Sequence, residues 1–197
     1  MIDEGYIKFE LDWQRGPAPP ADIVSQLNEW REPLYAAGLI GQYEDTGIGF
    51  GNLSVRGDAG HFIISGTQTG HLATLGAEHY ATVTDYDIAA NRVRCEGPIK
   101  ASSESMTHAA LYELCDKINA VVHVHSAALW NKLRNVLPTT DAAVSYGTPE
   151  MAEEFRRLHR ETAFAKDGIA VMAGHDEGII ATGRDMQEAA RRILNLR

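Results

Sequence analysis

Apolar residues recur along the chain with two different periods. In "ADIVSQLNEWREPLYAAG", Ile23, Leu27, Trp30 and Leu34 repeat at helical spacing and Gly38 supplies a stop, which predicts an amphipathic helix. The preceding "RGPAPP" is a breaker cluster, so residues 1–20 read as an N-terminal arm or a short strand. "GFGNLSVR" and "HFIIS" flank "GDAG" as a hairpin, and "SGTQTG" follows as a glycine-bounded loop. "YATVTDYDIAANRVRCEG" predicts two more strands around "AAN". A helix is expected from Ser102 or Ser103 to about Lys117, then a strand over "INAVVHVHS". "SAALWNKLRNVLP" reads as a short helix and "PEMAEEFRRLHRETAFA" as a longer one. "GIAVMAG" and "GIIAT" read as buried strands, and "MQEAARRILNL" as a closing helix. Interleaved helices and strands predict an α/β fold whose central sheet is covered by helices on both faces. The hairpin-like pairs make that sheet mixed and largely antiparallel.

At 197 residues and 44% hydrophobic content the chain can bury one substantial core. No linker or repeat divides it, so residues 1–197 are expected to form a single domain. The net charge of −9 argues against nucleic acid as a partner. Small anions stay open, because helix N-termini and metal ions bind them locally. Cys95 and Cys115 lack CxxC spacing and read as free thiols. "MIDEGYIKFELDW" has no apolar signal core, and no run approaches the roughly 18 apolar residues of a membrane span. A soluble, cytoplasmic protein without a membrane partner is expected.

Candidate chemistry starts in "INAVVHVHS". Side chains at i and i+2 of a strand share a face, so His123 and His125 stand side by side with Val122 and Val124 opposite. Such a pair can share a metal ion, or can sit at a polar strand end. Catalytic zinc commonly takes three protein ligands and keeps one position open. For a third ligand the chain offers His61, His71, His79, His159 and His175. His159 lies in the charged stretch "FRRLHRE", whereas His175 ends an apolar strand in "VMAGHDEGII" among glycines and acids. "KASSESMTHAALYEL" opens with a serine pair, an N-cap signal, and such a helix end also binds anions. Glu104 in its first turn complements the helix dipole, or carries protons if it is desolvated near a metal. In "GFGNLSVR" and "SGTQTG" glycines permit close approach of a ligand, and Asn52, Ser65 and Thr67 add compact polar groups.

Taken in order, "GNLSVR", "IISG", "GPIKASSESMTH", "AVVHVHS" and "VMAGHDEGIIATG" resemble the class II aldolase/adducin family over about Leu27 to Leu194. The resemblance implies a three-layer α/β/α sandwich, often a cyclic homotetramer with its active site near a subunit boundary. It implies His123, His125 and His175 as Zn²⁺ ligands and Glu104 as the acid/base carboxylate. It implies a phosphate pocket built from Gly51, Asn52, Ser65, Gly66, Ser102 and Ser103. The implied function is a zinc-dependent lyase that cleaves a small, phosphorylated sugar or a related hydroxy-carbonyl compound through a metal-stabilised enediolate. The alternatives are a dehydratase of the methylthioribulose-phosphate type and a non-catalytic, adducin-like assembly module. A 4-epimerase fits less well, because those enzymes carry "SSD" where this chain has "SSE". The chain departs from the family pattern at Ala101, where a proline is usual, and in "HDEG", where "HG" is usual. The "HDEG" reading puts Asp176 and Glu177 near the metal. No tyrosine matches the family aldolases' catalytic one, since Tyr146 aligns with a different position. Lys100 and Arg56 are charges near the expected phosphate pocket in sequence, and either can equally be a surface residue.

Overall fold

The computed structural model describes residues 5–196, so the first four residues of the expected arm lie outside the described residues. The described residues form ten strands and six α-helices, with the predicted elements in the predicted order. They are β1 (Glu10–Arg15), α1 (Ala21–Ala36), β2 (Gly41–Gln42), β3 (Gly49–Phe50), β4 (Asn52–Arg56), β5 (Phe62–Ser65), β6 (Tyr80–Asp87) and β7 (Arg92–Gly97). Then come α2 (Ser105–Leu114), β8 (Ala120–His125), α3 (Ala127–Leu133), α4 (Pro149–Glu161), α5 (Phe164–Asp167), β9 (Ile169–Val171), β10 (Gly178–Gly183) and α6 (Met186–Leu194).

Eight strands form one sheet in the order β1-β7-β6-β5-β4-β8-β10-β9. Every pairing in it is antiparallel except β1 with β7. The expected α/β class and the mixed, largely antiparallel sheet are therefore what the chain adopts, and β1 turns part of the first twenty residues into an edge strand. Alternation sorts the side chains into two cores. On one face Phe62, Ile64, Val121 and Ile180 pack against Met106, Leu111, Phe155 and Leu158 of α2 and α4. On the other, Leu53, Val122, Val124 and Ile179 pack against Leu27, Leu34, Ala190 and Ile193 of α1 and α6.

Three local differences from the predicted pattern have physical causes. The helix after the serine pair begins at Ser105, because Ser102 and Ser103 form a turn in which the Ser105 N–H donates to the Ser102 carbonyl over 3.0 Å. It ends at Leu114, short of Lys117. There Arg56 Nη2 caps the carbonyls of Tyr112 (2.7 Å) and Cys115 (3.2 Å), and its Nε reaches Ile118 O (2.8 Å). The long helix of the "PEMAEEFRRLHRETAFA" segment breaks at Thr162. That hydroxyl donates to Leu158 O (2.6 Å) and accepts from Phe164 N–H (3.2 Å), ending α4 and starting α5. Third, β2 and β3 form a small separate ribbon that the sequence pattern does not predict. Gly51 follows it with φ +79, and a Cβ there would lie 2.8 Å from Ile40, so only glycine lets the chain swing into β4 at this point.

Among the described residues no helix is long and apolar enough to cross a membrane.

Candidate metal centre

Strand β8 runs through the middle of the sheet with all six residues buried. Its period of two sends His123 and His125 to the α2 side, with Val122 and Val124 on the other. Pairing with β10 sets Gly178 opposite His125 and Ile180 opposite His123. The β9–β10 turn therefore delivers His175 to the same point. His175 N–H closes on Met172 O (3.2 Å), and its own carbonyl accepts from Gly178 N–H (2.9 Å). One ring nitrogen from each of His123, His125 and His175 lies within 4.8 Å of the others, and all three residues are buried.

The ring orientations are held from outside. His123 Nδ1 lies 3.2 Å from the Ile179 carbonyl, which can only accept, so Nδ1 carries the proton and Nε2 the lone pair. His125 Nδ1 lies 2.9 Å from the Tyr43 hydroxyl, whose oxygen is 3.1 Å from Glu177 Oε2. The hydroxyl proton goes to the carboxylate, so the hydroxyl accepts from His125 Nδ1–H, and His125 Nε2 also carries a lone pair. The two Nε2 atoms face each other at 3.0 Å. Two buried lone pairs at that distance repel unless a cation lies between them. In a tetrahedral zinc site with Zn–N bonds of 2.0–2.1 Å, ligand nitrogens are about 3.3 Å apart. This donor set therefore fits a divalent metal.

Charge states agree with that reading. Burial draws His123 down to about 4, with Glu104 opposing only in part. Burial also draws His125 well below its ordinary value, so both imidazoles are neutral ligands at neutral pH. Glu104, at the N-cap of α2, is fully buried. Its Oε1 lies 3.0 Å from His175 Nδ1 and 3.9 Å from His123 Nε2. Burial alone would raise this carboxyl. The adjacent His175 and His123 rings favour its ionised form, which outweighs burial and brings it to about 2. Both of its oxygens are buried without a hydrogen-bond partner among the described residues.

Of the six residues of the expected phosphate pocket, Gly51, Asn52, Gly66, Ser102 and Ser103 line one small polar cleft, together with Thr67, Gln68 and Thr69. Asn52 is the register partner of His123, which joins the cleft to the metal centre. Ser65 does not line it, because its hydroxyl is turned back to accept from Leu53 N–H (3.3 Å). Neither Arg56, committed to α2, nor the exposed Lys100, 5.9 Å from the Trp13 ring, lines this cleft. Tyr146 stacks on His175 with centroids 4.3 Å apart, but its hydroxyl exchanges hydrogen bonds of 3.1 Å with the Tyr6 backbone.

Several residues of the site carry no signal in the sequence. Tyr43 and Phe50 sit on the β2–β3 ribbon, whose two-residue strands are too short to show a period. Arg31 of α1 is of a residue type that is mostly exposed. Instead it is buried, donating to the carbonyls of Leu72 (2.6 Å), Ala73 (2.8 Å) and Thr69 (3.0 Å), which fixes the loop behind the cleft. His108, one turn beyond Glu104, lies behind the centre. Its Nδ1 is 2.7 Å from Ser54 Oγ, which is 2.6 Å from the Tyr112 hydroxyl.

His108 makes the metal-free fold acid-sensitive. Burial lowers it from its ordinary 6.5 to about 3, so between those values the unfolded chain binds a proton that the native state refuses. Stability is therefore complete above pH 6.5 and falls as pH drops, by about 2 kcal/mol from this group at pH 5. Denaturant midpoints of chelated protein at pH 7.5 and 5 measure this, and His108→Asn is expected to flatten the profile. An unchanged slope in that variant would remove His108 as the cause.

The family model of the class II aldolase and adducin N-terminal domain matches residues 33–197. Among solved structures the fold is similar to YgbL from Escherichia coli, at 20% identity and TM-score 0.64 over 89% of this chain and 85% of that one. It is similar to L-fuculose 1-phosphate aldolase at 18% identity and TM-score 0.67, covering 91% and 84% of the two chains. The sugar-phosphate aldolase from Thermotoga maritima matches at 17% identity and TM-score 0.65, covering 89% and 90%. At such identities these structures speak for the fold alone, whereas the model match spans most of the sequence, including all three histidines and Glu104. The protein thus belongs to the class II aldolase and adducin N-terminal domain family and carries a buried three-histidine cluster suited to a divalent metal.

Proposed function

We propose that this protein is a zinc-dependent lyase that cleaves a C–C bond in a small sugar phosphate or related hydroxy-carbonyl compound. The observation that carries the reading is a fully buried carboxylate, Glu104, 3.0 Å from one histidine of a cluster whose other two Nε2 lone pairs converge. His123, His125 and His175 would hold a divalent cation, which would supply Lewis-acid polarisation of a carbonyl or hydroxyl and stabilise developing negative charge. Glu104 takes and returns the proton at the reacting carbon or its oxygen. Burial of all four side chains excludes water from that exchange.

The cleft lined by Gly51, Asn52, Gly66, Ser102 and Ser103 receives the far end of the substrate. Backbone N–H groups and small polar side chains there suit a phosphate without a charged side chain. Two of the structural relatives are sugar-phosphate aldolases, which supports a phosphorylated substrate. The reading includes a homotetrameric assembly, which the family resemblance implies.

The test is a screen of Zn²⁺-loaded protein over ketose phosphates and aldol donors, scored for aldehyde or dihydroxyacetone phosphate release and repeated after chelation. Metal-dependent release of both fragments is expected. Loss of water with the carbon chain intact would replace the lyase by a dehydratase of the methylthioribulose-phosphate type. A fully loaded protein that turns over nothing would favour an adducin-like assembly role.

A further inference from the structure

We infer that Tyr43 and Glu177 form an outer hydrogen-bond chain that positions His125 and tightens its hold on the metal. The inference rests on the metal-centre reading above and deepens it, giving the two residues that set the tautomer of His125 a part in metal affinity. The chain runs from Glu177 Oε2 through the Tyr43 hydroxyl (3.1 Å) to His125 Nδ1 (2.9 Å). A carboxylate drawing on the phenol proton makes the phenol oxygen a better acceptor for Nδ1–H. That fixes the tautomer of His125 and enriches its Nε2 lone pair.

Each end of the chain is held. Tyr43 sits in the turn of the β2–β3 ribbon, its N–H donating to Ile48 O (2.9 Å) and its carbonyl accepting from Gly47 N–H (2.8 Å). Its ring lies 4.7 Å from that of Phe50, which lies 5.5 Å from that of His125. Glu177 has φ +65, a left-handed conformation that disfavours any residue with a Cβ. Its carbonyl accepts from Ser126 N–H (3.0 Å), directly after His125, so main chain and side chain grip the same strand end. A strained backbone that aims a carboxylate at the partner of a metal ligand points to a role beyond turn formation.

The test measures Zn²⁺ affinity of the full chain by competition with a chromogenic chelator, for the parent, Tyr43→Phe, Glu177→Gly and the double variant. The single variants are expected to bind Zn²⁺ about 10–100-fold more weakly. The double variant is expected to be no weaker than the weaker single, because both break one chain. Bound Co²⁺ is expected to shift its visible absorption in Tyr43→Phe. Chelated Glu177→Gly is expected to melt no lower than chelated parent, since glycine accepts φ +65 without strain. Metal held equally tightly by parent and variants would overturn the inference, even if the variants melt lower. A parent that holds no metal would overturn the metal-centre reading, and this inference with it.

Discussion

Glu104→Gln is expected to lower turnover by about 10²–10⁴-fold while the protein keeps its metal. The substitution preserves shape and an oxygen toward His175, 3.0 Å away, but removes the ionised group. All three imidazoles remain, and Ile179 O and Tyr43, the outer partners of His123 and His125, are unchanged, so the donor set for the ion is intact. What disappears is a proton acceptor in a pocket where residue 104 is fully shielded from solvent, so bulk water cannot substitute. The two measurements are turnover on the substrate found by the screen and metal content after gel filtration. Equal turnover by variant and parent would take the acid/base role away from Glu104. Loss of metal along with activity would make Glu104 a ligand instead.

That Glu104 and the histidines share one point is only half legible in the sequence. The HxH alternation in β8 shows directly, because a strand's period is set by its own backbone. His175 is a harder case, since its arrival depends on the register of β10 against β8, which aligns Gly178 with His125 over 52 intervening residues. Pattern alone leaves five histidines as candidates, and the resemblance to a family picks one. The strands that show clearly are those long enough to alternate, such as β6 and β7. The β2–β3 ribbon escapes because four residues carry no period, yet it delivers Tyr43 and Phe50 to the metal centre. Charged residues mislead in the opposite way. Arg31 and Arg56 look like surface cations by residue type, whereas each is spent on three backbone carbonyls inside the fold. Propensity scales describe the average environment of a residue, and a guanidinium that caps a loop or a helix end is the exception they miss. The serine turn before α2 is misread for a related reason. Serines cap helices often enough to predict a start at residue 102, but here the turn holds the backbone so that Glu104 enters the core.

His175→Ala is expected to remove the metal, with a loss of affinity exceeding the roughly 10–100-fold that outer-shell changes produce. The reason is ligand count. Two neutral imidazoles whose Nε2 atoms lie 3.0 Å apart can hold a cation only weakly without a third donor to complete the face. His123→Ala takes away one of the two converging lone pairs and is expected to do the same. Turnover is expected to fall to background in both, because the proton transfer proposed for Glu104 would create charge that the ion would stabilise. His159→Ala is the control. That imidazole belongs to α4, half-buried and outside the cluster, so metal content and turnover should match the parent. Metal analysis of the three variants after gel filtration decides the matter, with circular dichroism to verify the fold. Alanine at 175 also leaves a gap beneath the stacked Tyr146 ring, so some loss of melting temperature accompanies the substitution. His175→Asn fills more of that gap, and it too is expected to lose the metal. A folded His175→Ala or His175→Asn protein that retained one equivalent of zinc would mean that the ion is bound elsewhere, and the three-histidine centre would not be its site.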